Sequence, residues 1–160
     1  MAEDVHKVLN VWSPTARRLA ESAMRNYGPP HFVMGDLLAW NYGGSWWKRM
    51  AVRRSGMIEQ VVYYIVPEAK LIEVVDLEAN LGAPAQLRVD VAESEVGVVS
   101  QSELMNLLLL NIMHDVARGA LKLSEAEKRY RRALERMRFR WPEPYAEQLH
   151  FHTDVNHIQV

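Results

Sequence analysis

Twelve residues in two stretches carry the chemistry this sequence offers. In the first, Trp40, Tyr42, Trp46 and Trp47 fall within eight residues around Gly43-Gly44, and Lys48, Arg49, Arg53 and Arg54 follow, with no acid between residues 46 and 54. In the second, Arg129, Arg132, Arg136 and Arg140 recur at i, i+3, i+7 and i+11, one stripe of a helix. Flat rings beside guanidiniums suit single-stranded nucleic acid. A base stacked on an aromatic side chain is worth about 1–3 kcal/mol and tolerates any sequence. Arginine's planar fork suits phosphate, and arginine outnumbers lysine by 14 to 5.

Each feature also has a plainer use. Tryptophans near a glycine turn serve as core, and a basic helical stripe serves as a solvated face or as a partner for acids. The net charge of −1 excludes a global field for polynucleotide or anionic membrane. It hides a segregation, however. Residues 125–141 hold seven bases against three acids, and residues 68–95 hold seven acids against Lys70 and Arg88.

Other chemistries find less support. There is no cysteine, which excludes a disulfide scaffold, a thiolate metal site and a cysteine nucleophile. There is no GxGxxG, no phosphate loop, no nucleophile elbow and no HExxH. The tail HFHTDVNH places His150, His152 and Asp154 on one face of an extended strand. It is similar to the HxHxDH signature of metallo-β-lactamase-type hydrolases, but Val155 stands where the last histidine belongs, so that family is set aside. No metal site, no cofactor and no catalytic residue is assigned. His114-Asp115 is the one general-base pair worth testing, as part of a small-enzyme alternative.

The elements that must position these groups follow from periodicity. Ser13-Pro14 reads as a helix start, and Ala16, Leu19, Ala20, Ala23, Met24 and Tyr27 form one apolar stripe, so a helix is expected over 14–27. A shorter helix is expected over about 32–40. Strands are expected over about 46–54, 57–66, 70–78 and 86–92, because these stretches are extended, β-branched or alternating. Their short connections predict an antiparallel meander. Ser100 with Glu103 and Ser124 with Glu127 read as capping boxes opening helices over 103–122 and 125–141. The helix over 103–122 contains LMNLLLLNIM, apolar nearly all round, so it is either the central core helix or half of a dimer contact. The expected whole is one α+β domain over residues 1–160: a four-stranded antiparallel sheet packed against N-terminal and C-terminal helices. No apolar run reaches a membrane span and no signal peptide is visible, so a cytoplasmic protein without a membrane partner is expected.

This layout over residues 13–121, with its Trp- and Arg-rich strand, resembles the ThermoDBP family. The resemblance implies archaeal single-stranded DNA binding, with relatives that bind RNA, through a cleft of hydrophobic and basic residues. Here that cleft maps onto Trp46, Trp47, Arg49, Arg53 and Arg54. The founding type's C-terminal leucine zipper has no counterpart, since 125–141 is short and arginine-rich.

The expectation is a non-enzymatic binder of single-stranded DNA or RNA. Trp40, Tyr42, Trp46 and Trp47 would stack bases, Lys48, Arg49, Arg53 and Arg54 would hold phosphates, and the arginine stripe would extend the track. The alternative is a structural or assembly protein, viral for example, that homo-oligomerises through 103–122. The first reading depends on the indole rings standing outside beside unmatched cations.

Overall fold

Ser13 does what its position predicts. Its hydroxyl accepts from the Ala16 N–H at 3.2 Å, and Pro14 opens a 14-residue helix, α2 (Pro14–Tyr27), after a short α1 (Val5–Leu9). The computed structural model describes residues 4–41, 45–82 and 86–153. The remaining elements are β1 (Phe32–Met34), β2 (Leu37–Asn41), β3 (Arg49–Arg53), β4 (Ile58–Tyr63), α3 (Leu71–Leu81), β5 (Gln86–Asp90), β6 (Glu95–Ser100), α4 (Glu103–Ala117), α5 (Leu123–Arg138) and α6 (Pro144–Glu147). The class is α+β with an all-antiparallel sheet, as expected. The sheet has six strands rather than four, in the order β1-β2-β3-β4-β6-β5.

Two expected elements change type. The stretch 32–40 is no helix but the β1–β2 hairpin, closed by the two-residue turn Gly35-Asp36. Alternation buries Leu38 and Trp40 on one face, which a helix would place on nearly opposite sides. The stretch 70–78 is no strand but α3: Val74, Leu77 and Leu81 fall at i, i+3 and i+7 and are buried. Its β-branched content misleads because tertiary burial of a 3.6-residue stripe outweighs propensity. The sixth strand, β6, lies where no element was expected. Gly97 interrupts its apolar run, yet it pairs with both β4 and β5.

Cross-strand register puts Leu38, Trp40, Met50, Val52, Gln60 and Val98 on one face, and every helix that packs on the sheet covers that face. α1, α2 and the connection between them close one apolar cluster over β2 and β3, through Trp12 of the connection and Ala16, Ala20 and Ala23 of α2. α3, α4 and α5 close a second over β4 and β6. A polar seam joins the two. The Tyr27 hydroxyl donates to Glu103 at 2.5 Å and Gln60 Nε2 donates to the same carboxylate at 3.0 Å. Asn106 Nδ2 donates to Gln60 Oε1 at 2.9 Å, and the Ser100 hydroxyl reaches Asn106 Oδ1 at 2.6 Å. Buried polar groups linked this completely fix one arrangement of the elements they join. Burial and the Glu103 bond together push the Tyr27 hydroxyl up to about 12.

The helix caps shift by a residue or two from expectation. Ser102, not Ser100, caps α4, accepting from the Met105 N–H at 3.2 Å, because Ser100 is committed to the polar seam. Glu125 supplies the α5 cap by accepting from the Lys122 N–H at 3.0 Å. α4 is the core helix: residues 106–113 are buried within the single chain, which leaves Leu104 as its exposed apolar residue. The apolar surface on which oligomerisation through 103–122 was expected is therefore already covered. Among the described residues, no helix is long and apolar enough to cross a membrane.

Candidate nucleic-acid interface

The strand β3 alternates as its sequence predicts, with Met50 and Val52 inward and Arg49 and Arg53 on the uncovered face. The rings around it do not follow. Trp40 and Trp47 are each 1% exposed. The Trp40 indole donates to the Gly28 carbonyl at 2.9 Å, tying β2 to the end of α2. Trp47 stands edge-on to Tyr27, with ring centroids 5.1 Å apart at 86°. Trp46 is half-buried and packs against both apolar clusters. These indoles are filling, so Trp40 and Trp47 cannot stack bases. Tyr42 lies outside the described residues.

The cations of this strand are already engaged. Arg49 donates both terminal nitrogens to Glu95 at 2.9 Å each, and Lys48 donates to the same carboxylate while lying over the Tyr63 ring at 4.3 Å. Register explains the encounter: Arg49 opposes Val61 and Glu95 opposes Tyr63, two residues farther along β4. The guanidinium of Arg49 and the ammonium of Lys48 hold the Glu95 carboxyl below the usual carboxylate range, against the burial that would raise it. Arg53 pairs with Glu59 at 3.2 Å, and Arg54 donates to the Val11 carbonyl at 3.3 Å.

A groove of about 340 Å³ does open on the uncovered sheet face, floored by Val61, Gly97 and Val99. Its walls carry Arg49 and Arg88 against Glu59, Glu78, Asp90 and Glu95. Two bases against four acids leave it net negative, the wrong sign for a polyanion.

The second stretch fares differently. On α5, Ala126, Tyr130 and Ala133 face inward. Arg129 turns with them: it binds Glu143 through two bonds of 2.7 Å and lies 4.1 Å over the Tyr145 ring. Arg136 Nε donates to the Pro142 carbonyl at 2.9 Å. The expected stripe of Arg129, Arg132, Arg136 and Arg140 therefore splits, and Arg132 and Arg140 are its exposed members. The outward face is instead Lys128, Arg131, Arg132 and Arg138, with exposed Glu135 among them. Arg131 shares a surface pair with Glu127 at 2.8 Å.

At the end of that face stand two exposed rings. Phe139 is 54% and Trp141 59% exposed, with centroids 5.5 Å apart and planes tilted by 31°. The Arg138 guanidinium lies 5.8 Å from the Phe139 ring. Trp141 lies beyond the helix expected to reach it, because α5 stops at Arg138 and Arg140 takes a left-handed φ of +57°. The Trp141 N–H returns to the Arg136 carbonyl at 2.8 Å, so the turn is closed rather than frayed. Phe139, Trp141, Lys128, Arg131 and Arg138 were not among the expected site residues. The signal for them is the string Arg-Phe-Arg-Trp directly before Pro142, where a helix must end.

The platform is anchored from behind. Glu143 is buried and accepts from Arg129 and from the Tyr145 N–H at 2.9 Å. Burial pushes its carboxyl up, but these bonds outweigh it and hold it below the usual range. Asn111 clamps the following segment: its Nδ2 donates to the Tyr145 and Gln148 carbonyls at 2.9 and 2.7 Å, and its Oδ1 accepts from the His150 N–H at 2.8 Å. Asp115 accepts from the Tyr145 hydroxyl and from Arg118 Nε, the latter at 2.8 Å. His114 meets the Tyr64 hydroxyl at 2.7 Å and lies against Phe151. The His114-Asp115 pair thus fastens the C-terminal segment. His150 Nε2 contacts the Pro144 carbonyl at 3.0 Å. Among the described residues no three His, Asp or Glu side chains converge as metal ligands, and Asp154 lies outside those residues.

Compared with family models, curated proteins and solved structures, the chain matches none, and the ThermoDBP resemblance rests on residue layout alone.

Proposed function

We propose that this protein binds single-stranded nucleic acid without catalysis, through the outer face of α5 and the ring pair at its end rather than through β3. The observation that carries the reading is the exposed Phe139–Trp141 pair continuing a face of Lys128, Arg131, Arg132 and Arg138. The rings offer a stacking surface for one or two bases. The cations offer phosphate contacts along a helix of 16 residues, roughly 24 Å long. Side-chain stacking and charge supply no base-edge readout, so binding is tolerant of sequence.

Trp141 is also the reporter. Of the five tryptophans, Trp12, Trp40 and Trp47 are buried, Trp46 is half-buried and Trp141 is exposed. Titration with a short oligothymidine should quench the Trp141 emission, and Trp141→Phe should remove that signal. With Arg131 paired to Glu127, three cations remain on the face, and at a slope of about −0.7 per phosphate on log–log axes the affinity should fall roughly 20-fold between 50 and 200 mM salt. Binding that ignores salt, or that survives Arg132→Ala with Arg138→Ala unchanged, sinks the proposal.

A further inference from the structure

The turn that ends α5 departs from the pattern of the helices before it. α2, α3 and α4 are each followed within two residues by a glycine of positive φ: Gly28, Gly82 and Gly119, at +85°, +81° and +80°. α5 is followed at the same distance by Arg140, at +57°. Two bonds close the turn, from the Arg140 N–H to the Met137 carbonyl at 3.1 Å and from the Trp141 N–H to the Arg136 carbonyl at 2.8 Å. This is the bond pair of a left-handed helix cap, in which glycine is the usual residue because a Cβ crowds the following carbonyl. Such caps also commonly pack the next residue against the last helical turn. Here that residue is Trp141, which is 59% exposed and lies against Phe139 instead. Strained backbone and an exposed ring thus meet at one turn. Non-glycine residues held in this region cluster at binding sites.

What glycine could not supply there is a guanidinium. Arg140 is exposed, and its side chain makes no hydrogen bond, ion pair or ring contact with any described residue. The arginines around it are otherwise engaged. Arg129 holds Glu143, Arg136 donates to the Pro142 carbonyl and Arg138 lies against Phe139. Of the acids nearest in sequence, Glu143 is buried on Arg129, and exposed Glu135 stands more than a turn earlier. The negative end of the α5 dipole does not call for this charge either, because Arg136 and Arg138 already occupy the last turn. Arg140 is therefore an uncommitted cation between two exposed rings. We propose that Arg140 and Trp141 form a subsite for a nucleoside phosphate, Trp141 stacking the base and Arg140 taking the phosphate of the same nucleoside in its planar fork. The subsite rests on the proposed function and extends it, adding a fourth phosphate contact to those of Lys128, Arg132 and Arg138.

Three variants of the full chain test this. Arg140→Gly removes both the fork and the strain, Arg140→Ala removes the fork alone, and Arg140→Lys keeps the charge without the fork. Thermal unfolding without ligand reads the strain: Arg140→Gly should melt roughly 2–4 °C above Arg140→Ala. Quenching of Trp141 by oligothymidine reads the site. Four contacts at about −0.7 each should make the wild-type affinity fall roughly 50-fold between 50 and 200 mM salt, and Arg140→Gly should return this to roughly 20-fold. At about 50 mM salt Arg140→Gly and Arg140→Ala should bind about tenfold more weakly than wild type, with Arg140→Lys between them. A variant that gains stability while losing affinity is not the behaviour of an arginine with a structural role alone. Arg140→Gly that melts no higher than Arg140→Ala overturns the inference. Thymidine monophosphate, with thymidine as its control, separates the subsite from the longer track. If oligothymidine binds and neither affinity nor slope responds to Arg140, the inference fails and the proposed function stands. If thymidine monophosphate quenches Trp141, thymidine and Arg140→Gly abolish that quench, and oligothymidine binding ignores Lys128 and Arg132, the subsite stands and the track along α5 fails. If neither oligothymidine nor thymidine monophosphate quenches Trp141, both fall.

Discussion

Replacing Glu95 with glutamine removes one negative charge at nearly constant shape and asks what the β3 cations are for. Glu95 accepts three charge-assisted bonds, two from Arg49 and one from Lys48, and its side chain is 5% exposed. Bonds of this kind contribute about 1.5–3 kcal/mol each. Burial of the carboxylate offsets a large part of that sum. The Lys48 and Arg49 side chains are 25% and 48% exposed, so water screens the charges left behind. A net loss of about 2–3 kcal/mol remains, or roughly 5–10 °C in Tm for a chain of this length. The pH dependence has a definite sign. The folded-state carboxyl titrates below its ordinary value of 4.5, so the folded chain binds fewer protons there than the unfolded chain. The contribution is full above that ordinary value and is lost on acidification, so the gap between wild type and Glu95→Gln should close as the pH falls below about 4. Thermal unfolding at pH 7 and pH 3 measures both effects. Equal stability at pH 7 would refute the structural role of the cluster. The variant also frees two cations on the sheet, so tighter oligothymidine binding by Glu95→Gln would return the interface to β3 and refute its placement on α5.

Asn111→Ala should cost about 2–4 kcal/mol, since it strands two carbonyls and an N–H near the buried face of α4. Limited proteolysis should then cut within residues 144–153 before the rest of the chain, and uniform resistance there would contradict the clamp. His114 has its ring pushed below its ordinary value of 6.5, by burial first and by Arg118 and His150 in addition, with Asp115 opposing. Its neutral form is therefore favoured by folding, and stability should fall as the pH drops through about 6.5, where the unfolded chain takes up the proton. His114→Gln should flatten the Tm profile between pH 7 and 5. An unchanged slope would assign that dependence to other groups.

Local rules accounted for the parts of this protein that answer to neighbours in sequence. The Ser13-Pro14 start, the apolar stripe of α2, the alternation in β3 and the amphipathic α5 each follow from residues a few positions apart. The α+β class and the antiparallel pairing follow from them in turn. Where short apolar stretches fit two periods, the third dimension decided. LIEVVDLE reads as a strand until α4 and the sheet select its Val74–Leu77–Leu81 stripe, and GDLLAW reads as a helix end until β3 arrives to pair with it. β6 illustrates the same dependence, because a strand containing Gly97 is stabilised by the two strands beside it.

The site divides along the same line. That arginines and aromatics gather at residues 40–54 and 125–141 is a property of composition. Which of them meet water is not, because a side chain's exposure depends on elements remote in sequence. Glu95 reaches Arg49 and Lys48 across 46 and 47 residues, and Glu143 reaches Arg129 across 14. These encounters neutralise the cations that looked most available. They leave Lys128, Arg132 and Arg138 to face solvent beside Phe139 and Trp141, the rings turned outward where Arg140 takes the chain out of the helix.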